Sequence, residues 1–344
     1  MPPRQTLGWV PRWALIASVS LAVLQAQSAK SLDIYFIDTE GGQATLIVSP
    51  SGGSVLIDAG FAGGRDADRI AFAAKLAGVT SIDQLLITHH HADHEGGVPD
   101  LLTRLPVRRV LDHGPTVEVE NANPETKQAY AAYVKATTGL PRRTLVAGDK
   151  IEVGGLDIQV VASAQKFISG RGEPNPFCAG LQPREEPNPW ENPQSVGVVL
   201  QFGRFRFVDL GDLGWNASLD FFCPENRVSP IDLYLSPHHG TAVTPKAEWA
   251  MRPRVTVMNN GARKGGDPRS WKTLRKSPGL EDLWQLHFSV AGGAENNVAD
   301  RFIANIEGGT DGNYLKASAS EDGSFSIFNS RTRETKRYSA RRTP

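Results

Sequence analysis

The sequence predicts a mixed α/β fold with a chemical site at the ends of its strands. Three observations carry that expectation. Short β-branched runs bounded by glycine turns alternate with segments of helical apolar spacing. Strand-like pairs with tight turns occur near both ends of the folded region. A short apolar strand, Gln84-Leu85-Leu86-Ile87, leads straight into a histidine cluster.

The elements follow in order. Leu32 to Asp38, Ala44 to Ser49 and Ser54 to Asp58 alternate and are rich in β-branched residues. The Ser51-Gly52-Gly53 turn between the last two predicts antiparallel pairing. Arg65 to Leu76 repeats apolar residues at helical spacing through Ile70, Phe72, Ala73 and Leu76. Helices are expected again over Val98 to Leu105, Pro124 to Thr138, Trp215 to Phe222, Pro245 to Met251 and Ser270 to Lys276. Strands are expected over Val107 to Leu111, Val196 to Phe202, Phe205 to Leu210, Ile231 to Leu235 and Val255 to Met258. The stretch from Ala164 to Pro193 carries six prolines and reads as a long loop, either functional or an ordered surface excursion. A hairpin about Asp322-Gly323 joins Tyr314 to Ser318 with Ser324 to Asn329.

Composition allows a sizeable core, since two-fifths of the 344 residues are apolar. Lysine plus arginine equal aspartate plus glutamate at 37 each, so no overall basic field draws in nucleic acid. Arg4 and Arg12 precede an apolar run from Trp13 to Leu24, and Ala26-Gln27-Ser28 follows with small residues. That order reads as a cleaved secretory signal, too short to span a bilayer comfortably, with an uncleaved membrane anchor or a buried helix as the alternative. The expected division is therefore a signal peptide over 1–28 and one domain over 30–344, with 164–193 as a loop insertion. Export places the mature chain in the periplasm or outside the cell, with no membrane span left after cleavage. There an even pair of cysteines, Cys178 and Cys223, suits a disulfide.

The strongest chemical signal is His-x-His-x-Asp-His, filled by His89, His91, Asp93 and His94. Imidazole and carboxylate are the ligands a borderline divalent ion such as zinc takes, and catalytic sites keep a position open to water. On a loop leaving a strand, alternating residues at this spacing converge on one or two ions. His90 lies between them and points away or supports the ligands from behind.

This segment resembles the signature of the metallo-β-lactamase superfamily, and the resemblance covers essentially the whole mature chain. Leu56-Ile57-Asp58-Ala59-Gly60 is similar to the motif whose aspartate orients the metal loop. Phe207-Val208-Asp209-Leu210-Gly211-Asp212 resembles the strand that ends in a bridging aspartate. Ser236-Pro237-His238-His239-Gly240-Thr241 resembles the last motif of the competence-protein (ComEC-like) branch. So does the opening Asp33 to Asp38 with Gly41 to Leu46. The resemblance implies an αβ/βα sandwich of two mixed sheets flanked by helices, with metal at one edge.

Carried over by position, His89 and His91 hold one ion, and Asp93, His94 and His239 hold a second, with Asp212 between them. His238 faces the substrate or supports the site, although the choice between His238 and His239 as ligand stays open. Asp209 reads as a strand-end carboxylate with structural hydrogen bonds. One departure matters: between His113 and Asp212 there is no histidine to complete the first position, and Asn192 and Ser195 occupy that region. His113 is either a weak substitute ligand, a pocket-edge residue or structural.

The implied chemistry is hydrolysis by water whose pKa is lowered by one or two zinc ions, with manganese an alternative. Asp93, Asp212 and His238 are the candidate catalytic groups, the two carboxylates to accept or shuttle the proton. A phosphoester or related ester of a small molecule is the expected substrate. The alternatives are a β-lactamase or lactonase, disfavoured by the absent third histidine, and a non-catalytic binding protein on the same fold. Asn259 to Gly266 reads as an anion cradle or an ordinary basic turn, and His287 as structural. Trp190, Trp215 and Phe177 line a pocket or simply pack.

Overall fold

The computed structural model describes Met1 and residues 31–241, 245–306, 308 and 311–342. The expected signal peptide lies, apart from Met1, outside the described residues.

In the first half, β1 (Leu32–Phe36), β2 (Thr45–Val48) and β3 (Ser54–Ile57) pair antiparallel, as the alternation requires. Leu32, Ile34 and Phe36 face one side and Tyr35 the other, and both sides are buried. A strand covered on both faces belongs inside a layered domain rather than on its surface. α1 (Arg65–Leu76) returns the chain so that β4 (Gln84–Leu86) runs parallel to β3. α2 (Ala92–Glu95), α3 (Val98–Leu102), β5 (Val110–Asp112), α4 (Pro124–Ala136) and β6 (Arg142–Thr144) extend the parallel half. Asn123 caps α4 by accepting from the Thr126 amide, with Pro124 at the first helical position.

The second half begins with β7 (Lys150–Val153) and β8 (Leu156–Ser163), two strands the sequence reading passed over. The short β9 (Lys166–Phe167) and β10 (Glu173–Pro174) follow, then β11 (Gly197–Phe202) and β12 (Phe205–Asp209). α5 (Trp215–Phe222), β13 (Glu225–Asn226), β14 (Leu233–Leu235), β15 (Val255–Met258), α6 (Pro268–Arg275), β16 (Asp282–His287) and β17 (Ile303–Asn305) continue it. From β12 through β17 the main sheet is parallel. The chain then rejoins the first sheet through β18 (Leu315–Ala319), β19 (Phe325–Asn329) and β20 (Thr335–Tyr338).

Three apolar layers hold these parts together. One lies between the two sheets, where Ile34, Phe36, Val198, Phe207 and Leu235 meet. A second lies between the first sheet and α1, α3 and α4, and a third between the second sheet and α5 and α6. That order is the αβ/βα sandwich implied by the sequence.

Three local expectations shift. Pro245 to Met251 forms a 3₁₀ segment over Lys246–Met251 instead of an α-helix. The strand expected from Val107 begins at Val110, with Val107 only bridging to Ile82. The helix from Val98 ends at Leu102. The 164–193 excursion is anchored: β9 pairs with β8, β10 with β13, and Cys178 forms a disulfide with Cys223 at the end of α5. Buried Asn175 donates to the Phe222 and Ala247 carbonyls at 2.9 and 2.8 Å, fixing the same junction.

Candidate metal centre

Parallel strands expose their carboxyl ends along one edge, where turns carry the polar groups. Asp58 follows β3, the His89–His94 run follows β4, Asp212 follows β12, and His238 and His239 follow β14. Both sheets thus deliver their motifs to a common edge.

Asp58 is fully buried and accepts three hydrogen bonds, from the Thr88 amide, the Thr88 hydroxyl and His94 Nδ1, each at 2.7 Å. In the neutral, ligand form of His94 the last bond fixes the tautomer: Nδ1 carries the proton and Nε2 keeps its lone pair. That Nε2 lies 3.4 Å from Asp93 Oδ2, 3.3 Å from Asp212 Oδ2 and 3.3 Å from His239 Nε2. His239 Nε2 in turn lies 3.0 Å from Asp93 Oδ2 and 3.2 Å from Asp212 Oδ2. One atom from each of Asp93, His94, Asp212 and His239 falls within 4.8 Å of all the others.

The backbone explains why His239 and not its neighbour enters this cluster. His238, His239 and Gly240 are all left-handed, with φ of 50°, 54° and 71°. Such a turn is costly for residues with a Cβ and is sustained where the surroundings fix it, often at a site. At Gly240 the φ of 71° strains any residue with a Cβ, and a Cβ there would also lie 2.7 Å from the Met258 sulfur. His238 is turned to the rim: its ring lies 3.3 Å from the Asn192 amide nitrogen, and its Nε2 is 3.7 Å from Asp212 Oδ2.

His89 and His91 form a pair beside the four. His89 Nε2 faces His91 Nδ1 at 3.0 Å and lies 4.0 Å from Asp212 Oδ2, which therefore stands between the two groups. With Nδ1 turned inward, the outer Nε2 of His91 looks to Glu118 Oε1 at 3.5 Å. Glu118 was missed from the sequence, as nothing marks an acid in an irregular loop as a histidine partner.

Electrostatics separate the two groups. Burial, then the His94 and His91 charges, hold His89 well below the usual histidine range, in the neutral ligand form. Burial also pushes His238 down to about 4. Burial opposes ionisation of Asp93, but His94, His239 and Lys264 outweigh it and keep the carboxyl well below its usual range. Asp212 is held low against burial by His239, His94 and His238. His94 is driven the other way: Asp212, Asp93 and Asp58 overcome its burial and favour a positive charge there.

The remaining candidates find structural partners. His90 is buried between Glu95 Oε2 at 2.6 Å and the Gly114 carbonyl at 2.7 Å, turned away from the cluster. His113 pairs with Glu191 Oε2 at 2.9 Å and does not reach the cluster. Glu191, unnoticed in the sequence, also accepts from the His90 amide, the Thr116 hydroxyl and the Val117 amide. It is the buried brace behind the histidine loop. Asp209 accepts from Gln43 and the Gly211 amide, and Ser195 accepts from the Asp212 amide. His287 bonds Asp38 at 2.6 Å, which also pairs with Arg69. In the Asn259–Gly266 segment the Lys264 ammonium contacts Asp93 Oδ2.

These residues fit a divalent cation. Ring nitrogens face each other twice, and such a pair holds at most one shared proton unless both lone pairs turn to a common cation. Asp212 Oδ1 is buried with no hydrogen-bond partner, which is expensive for an ionised oxygen outside a cation's reach.

Comparison with known proteins agrees with this geometry. The chain is 27% identical over 158 residues to hydroxyacylglutathione hydrolase of Synechococcus sp., covering 37% of this chain and 64% of that one. It is 32% identical over 123 residues to ribonuclease Z of Methanopyrus kandleri, covering 34% and 38% respectively. The chain spans less than two thirds of the length of the curated relatives it matches. Among solved structures it is similar to a metal-dependent hydrolase of the beta-lactamase superfamily, at 16% identity, 75% of this chain, 97% of that chain and a TM-score of 0.43. The sequence model of the metallo-beta-lactamase superfamily matches residues 37–242, which is more than half of the chain and includes every motif placed at the shared edge. On that match the chain belongs to the metallo-beta-lactamase superfamily.

Proposed function

We propose that the chain is an exported, metal-dependent hydrolase of the competence-like branch that cleaves a phosphoester or related ester. The observation that carries the reading is the convergence of Asp93, His94, Asp212 and His239 within 4.8 Å, at the carboxyl ends of strands from both sheets. In this reading Asp93, His94 and His239 would hold one cation and His89 and His91 a second, with Asp212 between the two groups. Bound divalent ions, zinc or manganese, supply Lewis acidity that lowers the pKa of water and polarises the ester oxygen.

The chain's own groups do the rest. Asp58 and Glu118 fix the tautomers of His94 and His91 from outside. Asp93, already in contact with the Lys264 ammonium, is the carboxylate placed to accept a proton from attacking water and pass it on. His238, neutral and on the rim beside Asn192, faces the substrate and donates to or accepts from its leaving side. Lys264, half-exposed at the cluster, adds a positive charge for an anionic substrate.

Export rests on the N-terminal pattern of residues 1–28, and the Cys178–Cys223 disulfide suits an oxidising compartment. Residues 30–344 then constitute one hydrolase domain. No helix among the described residues is long and apolar enough to cross a membrane. Among the relatives, one is named a ribonuclease and another a hydroxyacylglutathione hydrolase, so phosphodiester and thioester substrates head the panel.

The test is elemental analysis of purified protein, with turnover of bis(p-nitrophenyl) phosphate, S-lactoylglutathione, a lactone and a chromogenic cephalosporin. Zinc- or manganese-dependent cleavage of the phosphodiester is expected, lost in Asp212→Ala and His91→Ala. Retained activity in Asp212→Ala overturns the mechanism. Cleavage of the cephalosporin alone overturns the substrate class, and metal-free, inert protein overturns the enzyme.

A further inference from the structure

A cavity of about 340 Å³ lies on the helical side of the second sheet, outside the cluster just described. Five cationic side chains line it, those of Arg184, Lys246, Arg269, Lys272 and Lys276, and no acidic residue does so among the described residues. Arg269 is matched by Asp267 at 3.1 Å. Lys246, Lys272 and Lys276 have no carboxylate partner within ion-pair distance among the described residues. The chain as a whole is neutral, so this is a local concentration of charge. Like charges gathered in one concavity repel one another, and an anion removes that cost. Burial and the neighbouring Arg269 hold the Arg184 guanidinium below its ordinary value, the sign of such crowding. The adjoining cavity shares Arg184 but is lined by Glu185, Glu186 and Asp220, so the cationic character belongs to this one.

Two indoles complete the walls. Trp215 donates to the Gln182 carbonyl at 2.9 Å and Trp249 to the Thr273 carbonyl at 3.0 Å. Trp215 already carries the Arg184 guanidinium 3.2 Å from its ring centroid, so with both N–H groups engaged the carbon surface left for a ligand's ring is that of Trp249. Ser270 and Thr273 lie on the same wall, their hydroxyls donating to the Thr241 and Arg269 carbonyls, so the cations supply the charge for an anion.

The cavity is tied to the candidate centre on two sides. Trp215 lies three residues after Asp212. The Ser270 hydroxyl donates to the Thr241 carbonyl, and the Asp267 amide to the Gly240 carbonyl at 2.8 Å, immediately after His239.

We propose that this cavity is a binding site for a phosphorylated ligand that carries a ring, such as a nucleotide, with phosphate on the lysines and the ring against Trp249. Resting on the phosphoester reading, the site holds the part of the substrate remote from the bond that is cut.

The experiment is a tryptophan-fluorescence titration of the full mature chain, stripped of metal, with adenosine 5′-monophosphate, adenosine and inorganic phosphate. The nucleotide is expected to bind in a salt-sensitive manner and more tightly than either half. Affinity is expected to fall at least tenfold in Lys272→Ala/Lys276→Ala, whose side chains are exposed and whose folding is checked by circular dichroism. A nucleotide that leaves the fluorescence unchanged and shows no binding by calorimetry overturns the proposal. So does equal binding by the double variant, or binding of phosphate or adenosine alone as tight as the nucleotide. The two readings separate cleanly. Protein that binds the nucleotide yet cleaves no phosphoester when metal-loaded refutes the activity alone. Active protein whose metal-free form ignores the nucleotide refutes the cavity alone.

Discussion

Asp58→Asn isolates the tautomer control of His94 with the least disturbance to the backbone. Asp58 has a left-handed φ of 60°, a conformation asparagine tolerates better than other substitutes. The Thr88 amide binds Oδ1, whereas the Thr88 hydroxyl and His94 Nδ1 both bind Oδ2. Keeping the first bond turns the new NH₂ group toward the other two. The hydroxyl can rotate to accept, but His94 Nδ1 must give up its proton to do so. The proton then moves to Nε2, the atom that faces Asp93, Asp212 and His239. Changes to the partner of a metal-ligating histidine typically cost about 10- to 100-fold in metal affinity, or roughly 1.4 to 2.7 kcal/mol. Losing a hydrogen bond to a buried charge adds about 1.5 to 3 kcal/mol against the fold. Competition for zinc against a chromogenic chelator reads the first quantity, and urea denaturation in chelator reads the second. Zinc affinity within twofold of the parent, in a variant with unchanged near-ultraviolet circular dichroism, refutes the tautomer argument.

Two further outcomes follow from other contacts. Glu118→Ala frees the outer nitrogen of His91, so one zinc equivalent should weaken about tenfold while the other is unchanged, as read by calorimetric titration; two unchanged equivalents exclude a role for Glu118. Glu248 is pushed up to about 7 by burial, against hydrogen bonds from Tyr234 and Ser218. Its folded pKa exceeds its unfolded value, so the folded state holds the extra proton between about 4.5 and 7, and stability falls as pH rises through that window. The loss is about 3 kcal/mol when complete. Glu248→Gln should flatten that decline in urea denaturation of metal-free protein between pH 5 and 7.5, and an equally steep decline in the variant removes Glu248 as its source.

Much of the fold was legible because its strands follow simple periodicity: the β1–β2–β3 meander, α1 and the β18–β19 hairpin lie within a residue or two of expectation. β7 and β8 went unread although β7 alternates exposed and buried residues, because Lys150, Glu152, Asp157 and Gln159 leave Ile151, Val153, Leu156 and Ile158 as single apolar positions with no run to mark a strand. β16, β17 and β20 were also passed over, the last because its outer residues are charged and mostly exposed. At the site, the close-spaced motifs located the cluster, but partners distant in sequence did not announce themselves. Glu191 braces His90 and His113 from about a hundred and about eighty residues away, and no local pattern encodes such a pairing. The choice between His238 and His239 was open because it depends on φ, and consecutive left-handed residues leave no mark in composition. Lys264 stood in a glycine-rich turn whose side-chain direction is set only when it packs against Gly41.

The common edge of the two sheets has a consequence for folding. Asp93 and His94 come from the first half of the chain, Asp212 and His239 from the second, more than a hundred residues later. Neither half of the chain contains all four of these groups, so the complete cluster exists only after the halves have docked. A cation held there is a clasp across the sandwich, stabilising the docked state by RT ln(1 + [L]/Kd) and leaving each half alone untouched. Stability and metal supply are thereby coupled: a chain that folds without the ion is less firmly closed.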